Sequence, residues 1–145
     1  FLSVTKQGVA AIVATNGNPD CHVILRGGNQ GPNYDAQSVA RVVEQLTAAR
    51  LPPHLMVDCS HANCGKDHQR QPEVLRAVTD QIAAGSRAVS GVMLESFLVG
   101  GRQDHQKGKQ LTHGQSITDQ CMSWEMTEPL FDVMSDAVKR RRSGG

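Results

Sequence analysis

Aromatic residues are scarce in this sequence: Phe, Trp and Tyr make up 3 % of its 145 positions. That is too few to build the stacking platforms on which single-stranded nucleic acids lie. An excess of charge is missing too. Fifteen Lys and Arg face fourteen Asp and Glu, for a net charge of +1, so no strong field points to nucleic acid or to an anionic membrane surface. The basic run from Lys139 to Arg142 closes a predicted helix, where cations complement the helix dipole. No apolar run approaches the roughly 20 residues of a membrane span. Cysteine occurs only four times. That does not suggest a disulfide framework in a chain of this size, and it fits a reducing, cytoplasmic compartment. Hydrophobic residues at 39 % and charged residues at 20 % make an ordinary globular composition. The length suits one domain or a piece of a larger one.

The chain opens on "FLSVT", already inside an apolar β-type run and without an initiator Met; the expectation is that a longer protein continues upstream. From there strand-like and helix-like runs alternate. "FLSVT" (1–5) is the first strand candidate, and 10–20 is a short run ending in an "NGN" turn signal. "CHVILRG" (21–27) is the second strand, "HLMVDCS" (54–60) the third and "AVSGVMLES" (88–96) the fourth. Between them, Asp35 is a plausible N-cap for a helix over 36–50, whose Val39, Val42, Val43, Leu46 and Ala49 repeat at three- and four-residue steps. Pro72 suits the first turn of a second helix lined by Leu75, Val78 and Ile82, with Gly85 at its end. A polar stretch over 100–121 reads as a long loop. A last helix over 127–141 turns Leu130, Phe131, Met134 and Val138 inward, and 140–145 reads as a disordered tail. This βαβαβα order predicts an α/β fold with a parallel sheet and crossover helices. Half of a (β/α)8 barrel and half of a doubly wound sheet both satisfy it.

In such folds the chemistry lies at the carboxyl ends of the strands. The second strand ends in Arg26 before "GG", the third in Asp58, Ser60 and His61, and the fourth in Glu95 and Ser96. Arginine offers bidentate recognition of phosphate or carboxylate, and the glycine pair lets backbone approach a ligand. Glu95, at the end of a buried strand, needs a partner or a metal. Asp119 lies in the polar stretch, where taken alone it is a turn or cap residue. His61, Glu95 and Asp119 together are donors suited to a divalent cation of the Mn, Fe, Co or Zn type. "VDCSHANCGKDH" also raises a zinc module built on Cys59, His61, Cys64 and His68. It lacks the paired spacing of a structural knuckle, and Cys59 and His61 share a face only if the strand runs through both. The distributed site is therefore the preferred reading.

The motifs "HVILRGG", "DCSHANCGK", "GVMLESFLVGG" and "GQSITDQCMSWE" resemble the type I 3-deoxy-D-arabino-heptulosonate 7-phosphate (DAHP) synthases, also called phospho-2-dehydro-3-deoxyheptonate aldolases. The resemblance covers essentially the whole chain and maps it onto the C-terminal half of a (β/α)8 barrel, strands five to eight with their helices. It implies a transferase of the shikimate pathway that joins phosphoenolpyruvate to erythrose 4-phosphate and releases phosphate. It implies a divalent metal held by a cysteine, a histidine, a glutamate and an aspartate, the last three being His61, Glu95 and Asp119, with Arg26 holding phosphoenolpyruvate. The family's metal cysteine and its other phosphate-binding cations belong to a "KPRT"-type region that is not in this sequence, so the resemblance leaves the segment with part of the catalytic set. In feedback-inhibited members an aromatic amino acid binds near a hairpin, at positions corresponding to Phe1, Ser3 and Val13; ordinary hairpin packing explains the same residues. A homo-oligomer is expected. The competing reading is an inactive half-barrel fragment that pairs its open sheet edges.

Overall fold

The computed structural model describes residues 1–144. Local sequence signals set where its helices begin. Helix α1 (Ala36–Ala48) is capped by Asp35, whose carboxylate accepts the Ser38 N–H at 2.9 Å. That bond satisfies one of the N–H groups a helix start leaves orphaned and holds the Asp35 carboxyl below its usual range. Helix α2 (Gln71–Ala83) carries Pro72 in its first turn, where no N–H is required. It is followed by Gly85 in the left-handed region at φ 108°. Helix α3 (Trp124–Ser143) starts three residues before the expected Thr127, because the Ser123 hydroxyl accepts the Met126 N–H at 3.4 Å. It also runs through to Ser143, so the expected tail is helical over 140–143; residue 145 lies outside the described residues.

Strands β3 (Val23–Leu25), β4 (Leu55–Asp58) and β5 (Val89–Met93) form a parallel sheet in that order. Leu25 stands opposite Val57, and Val57 opposite Val92. The sheet therefore has three parallel strands where four were expected. The opening run does not join it. Strand β1 (Leu2–Val4) pairs antiparallel with β2 (Ala10–Ile12) as a hairpin. Gly8 at φ 78° and the Gly8 N–H to Thr5 C=O bond of 2.9 Å turn the chain back too soon for a crossover. The polar stretch is not all loop either. Strand β6 (Val99–Arg102) pairs in parallel with the short β7 (Gln115–Ser116). Gly114, at φ 78°, makes this possible; a Cβ there would lie 2.8 Å from the Leu98 side chain.

Two apolar clusters hold the layers together. Leu25, Val39, Leu55, Val57, Val78, Ile82, Val89 and Ala137 form the first, between sheet and helices. Cys59, Cys64, Val74, Leu75, Met122 and Leu130 form the second, beneath the carboxyl ends of β4 and β5. Phe131 was expected to face inward but is 52 % exposed. The buried stripe of α3 runs through Thr127, Leu130 and Ala137, and Phe131 sits one position off it, tilted against the ring of Trp124 at 6.1 Å.

Candidate metal centre

Strand β4 ends on Asp58, a carboxylate only 1 % exposed. Burying such a group is costly unless it is satisfied. One of its oxygens accepts the Ser60 N–H at 2.8 Å and the Ser60 hydroxyl. The other lies 2.6 Å from His61 Nδ1. The imidazole is thus gripped through Nδ1, which leaves Nε2 to face the rim. Its backbone is in the left-handed region at φ 50°. The strand stops at Asp58, and the chain turns so that Cys59 enters the core while His61 points to the rim. The strand does not run through both residues, so the condition for Cys59 and His61 to share a face is not met.

Nε2 of His61 lies 3.5 Å from Oε1 of Glu95. Glu95 sits two residues past β5, half-buried. Burial pushes its carboxyl above the usual range; His61 and Arg26 pull it down, and Asp119 and Asp58 push it further up. Asp119 is exposed and arrives from the loop after β7. That loop is tied back by paired backbone bonds, Gly101 N–H to Cys121 C=O at 2.8 Å and Cys121 N–H to Gly101 C=O at 3.2 Å. Each of His61, Glu95 and Asp119 offers one donor atom, and these atoms lie within 4.8 Å of one another. With Cys64, Lys66 and Gln120 they line a cavity of about 40 Å³. Among the described residues this is the one cluster of three such groups.

Arg26 follows β3 and is exposed, on the same rim; its charge is felt at Glu95. The glycine beside it works differently from expectation. Gly27, at φ 72°, admits the β4 loop: a Cβ would lie 2.8 Å from Ala62 Cβ and 2.9 Å from the Asn63 nitrogen. Asn63, fully buried, then stitches the two strand ends together. Its amide donates to Leu25 C=O at 3.1 Å and to Asp58 C=O at 2.7 Å, and its Oδ1 accepts the Asn33 N–H at 2.8 Å.

The zinc-module residues do not assemble around His61. Cys59 is buried in the second core cluster, and its thiol is pushed up to about 12 by burial, with Asp58 and Cys64 adding to the shift. Cys64 is buried too, and burial raises its thiol. His68 bonds through Nδ1 to Gln120 at 2.9 Å. Phe1, Ser3 and Val13 lie elsewhere, on the hairpin. Phe1 and Val13 exchange backbone bonds of 2.9 Å, so with Ser3 they occupy one face. Phe1 is 74 % exposed.

Asp58, Asn63 and Gln71 support the site; the sequence placed Asp58 at a strand end without assigning it a partner, and singled out neither Asn63 nor Gln71. The Asp58-to-His61 spacing at a strand end was an available signal. Asn63 and Gln71 offered none, since only burial distinguishes them from surface amides.

Residues 2–132 match the profile of the DAHP synthetase I family. The chain is 54 % identical over 142 residues to phospho-2-dehydro-3-deoxyheptonate aldolase of Haemophilus influenzae, covering 98 % of this chain and 39 % of that protein. It is 52 % identical over 142 residues to the Phe-sensitive phospho-2-dehydro-3-deoxyheptonate aldolase of Escherichia coli K12, covering 98 % and 40 %. The solved structure of phospho-2-dehydro-3-deoxyheptonate aldolase from Francisella tularensis superposes with a TM-score of 0.84 at 45 % identity, over 97 % of this chain and 41 % of that one. The chain therefore spans about two fifths of the length of the relatives it matches.

Proposed function

The chain belongs to the DAHP synthetase I family, and from that premise we propose that it is the metal-binding C-terminal half of a 3-deoxy-7-phosphoheptulonate synthase. In this reading its three parallel strands and the β6–β7 unit belong to a (β/α)8 barrel, with the site at the carboxyl ends of the strands. The longer protein is a cytoplasmic transferase of aromatic amino acid biosynthesis and forms a homo-oligomer. It joins C3 of phosphoenolpyruvate to the aldehyde carbon of erythrose 4-phosphate. Water adds at C2, and the C2–O bond breaks to release inorganic phosphate.

The observation that carries the proposal is the convergence of His61, Glu95 and Asp119, from three separate loops, on one small cavity. Metal–donor bonds of roughly 2.0–2.2 Å set donors on the order of 3–4 Å apart around one ion, and the 3.5 Å between His61 Nε2 and Glu95 Oε1 fits that spacing. The Asp58 carboxylate on Nδ1 fixes which nitrogen His61 offers, the usual support for a metal-bound imidazole. One nitrogen and two carboxylates suit Mn, Fe, Co or Zn. Such a cation, when bound, supplies a Lewis acid for the aldehyde oxygen. Arg26 holds an anionic group of phosphoenolpyruvate beside the ligands. A fourth ligand, the family's cysteine, and further phosphate-binding cations come from outside this segment. Phe1, Ser3 and Val13 are the candidate contact for an aromatic amino acid effector; the Phe-sensitive name of the E. coli relative supports an effector of that class.

Metal analysis combined with an assay of phosphoenolpyruvate consumption tests the proposal, on this chain and on a full-length version. Full-length protein should consume phosphoenolpyruvate only with metal present, and His61→Ala should abolish both metal content and turnover. Turnover that survives chelation and the His61→Ala change contradicts it.

A further inference from the structure

The peptide groups of Glu95 lie beyond the sheet, and a buried side chain holds them. The last ladder bond between β4 and β5 is Cys59 N–H to Met93 C=O at 2.9 Å. Past it, Gln71 takes over the role of a neighbouring strand. Its Oε1 accepts the Glu95 N–H at 2.8 Å, and its Nε2 donates to the Glu95 C=O at 3.1 Å. Gln71 is the first residue of α2 and has no exposed surface. The same Glu95 carbonyl also accepts the Met122 N–H at 2.9 Å, and Met122, fully buried, lies three residues after Asp119. One carbonyl thus joins the loop that carries Glu95 to the loop that carries Asp119, and the Gln71 amide braces that joint.

We propose that Gln71 is a positioning residue of the metal centre, setting the separation of the Glu95 and Asp119 carboxylates through the Glu95 backbone. This role rests on the metal reading above. The chemistry selects an amide. A peptide unit presents one donor and one acceptor, and the carboxamide of Asn or Gln returns one of each side by side from a single planar group. Glutamate at 71 keeps an acceptor for the Glu95 N–H but sets an oxygen against the Glu95 carbonyl. Methionine keeps the volume but leaves the Glu95 N–H unpartnered and its carbonyl with the Met122 N–H alone, which is costly in a buried place. Ser96 is fixed independently by its hydroxyl, 2.6 Å from that of Thr127, so the amide acts on Glu95 itself.

Two readouts on the full chain test this, one of them independent of metal. Amide hydrogen exchange by NMR follows the Glu95 N–H, and cobalt(II) titration by visible absorbance follows the site. Gln71→Met should speed exchange at Glu95 at least tenfold while leaving the Cys59 amide unchanged. Both Gln71→Met and Gln71→Glu should weaken cobalt binding by roughly 10–100-fold, as loss of outer support to a ligand does. Val78→Ala, a cavity in the same helix, should lower the melting temperature without changing cobalt affinity. Unchanged Glu95 exchange in Gln71→Met overturns the clamp. Cobalt affinity that stays at the wild-type value in both Gln71 variants, or falls equally in Val78→Ala, overturns the positioning role. A wild-type chain that binds no cobalt removes the metal reading and this role with it, and the exchange result then stands for the clamp alone.

Discussion

The N-terminal hairpin and the rim of β4 and β5 invert the usual rule of burial. On the hairpin the apolar side chains are outside: Leu2 is 79 % exposed and Ile12 87 %. At the rim the polar ones are inside: Asp58, Ser60, Asn63 and Gln71 are each 1 % exposed or less. The hairpin is held by its own backbone bonds, while the rim is held by side chains that cross between elements. A buried polar group is tolerated only when every partner is in place, so the rim has little freedom to rearrange. That rigidity suits a site that must hold donor atoms at fixed spacing. The hairpin carries no such constraint, and its apolar side chains stay open.

Substitutions on the two regions should therefore differ sharply. Asp58→Asn offers the largest contrast. It removes the carboxylate that fixes the His61 imidazole, and metal affinity should fall roughly 10–100-fold in a calorimetric titration. Unaltered affinity would show that the Asp58–His61 contact does not tune the ligand. Gly27→Ala comes next. A Cβ at φ 72°, pressed on Ala62, should cost about 1–3 kcal/mol in urea unfolding; a loss near zero would mean that the two strand-end loops separate freely.

Thiol chemistry sharpens the same contrast. Cys21 is exposed and Cys59 is buried. An Ellman titration of native protein should label Cys21 quickly and leave Cys59 untouched until unfolding. With the Cys59 thiol raised to about 12 in the fold, against an ordinary value of 9.0, the unfolded chain ionises first. The stabilising contribution of Cys59 is then complete below pH 9 and lost as pH rises toward 12. Unfolding midpoints across that window should drop in the parent and drop less in Cys59→Ala. The smallest effect belongs to the hairpin. Ile12→Ser should move stability by no more than about 0.5 kcal/mol and leave metal affinity alone; a larger loss would mean that the hairpin packs on the domain after all.

The same division governs how much could be read from the sequence. The helices were legible because their signals are local: Asp35, Pro72 and the three- and four-residue apolar steps act within a few positions. The sheet was only partly legible. "FLSVT" is as apolar as a core strand, and only the tight turn at Gly8 sends it into a hairpin. The β6–β7 pairing depends on Gly114 meeting Leu98, a contact that no spacing announces. At the site, the functional residue types stood at strand ends, where position alone drew attention to Arg26, His61 and Glu95. Their supports were invisible, because Asn63 and Gln71 act across tens of residues and look like any surface amide. The left-handed turn at His61 was likewise unreadable, since nothing local says that the strand must stop at Asp58.

Anomalous diffraction from crystals of the chain soaked with manganese(II) or cobalt(II) tests the central claim most directly. The account predicts one strong peak roughly 2.0–2.3 Å from His61 Nε2 and from an oxygen of each of Glu95 and Asp119. A peak among Cys59, Cys64 and His68, or none at the carboxyl ends of β4 and β5, would contradict it.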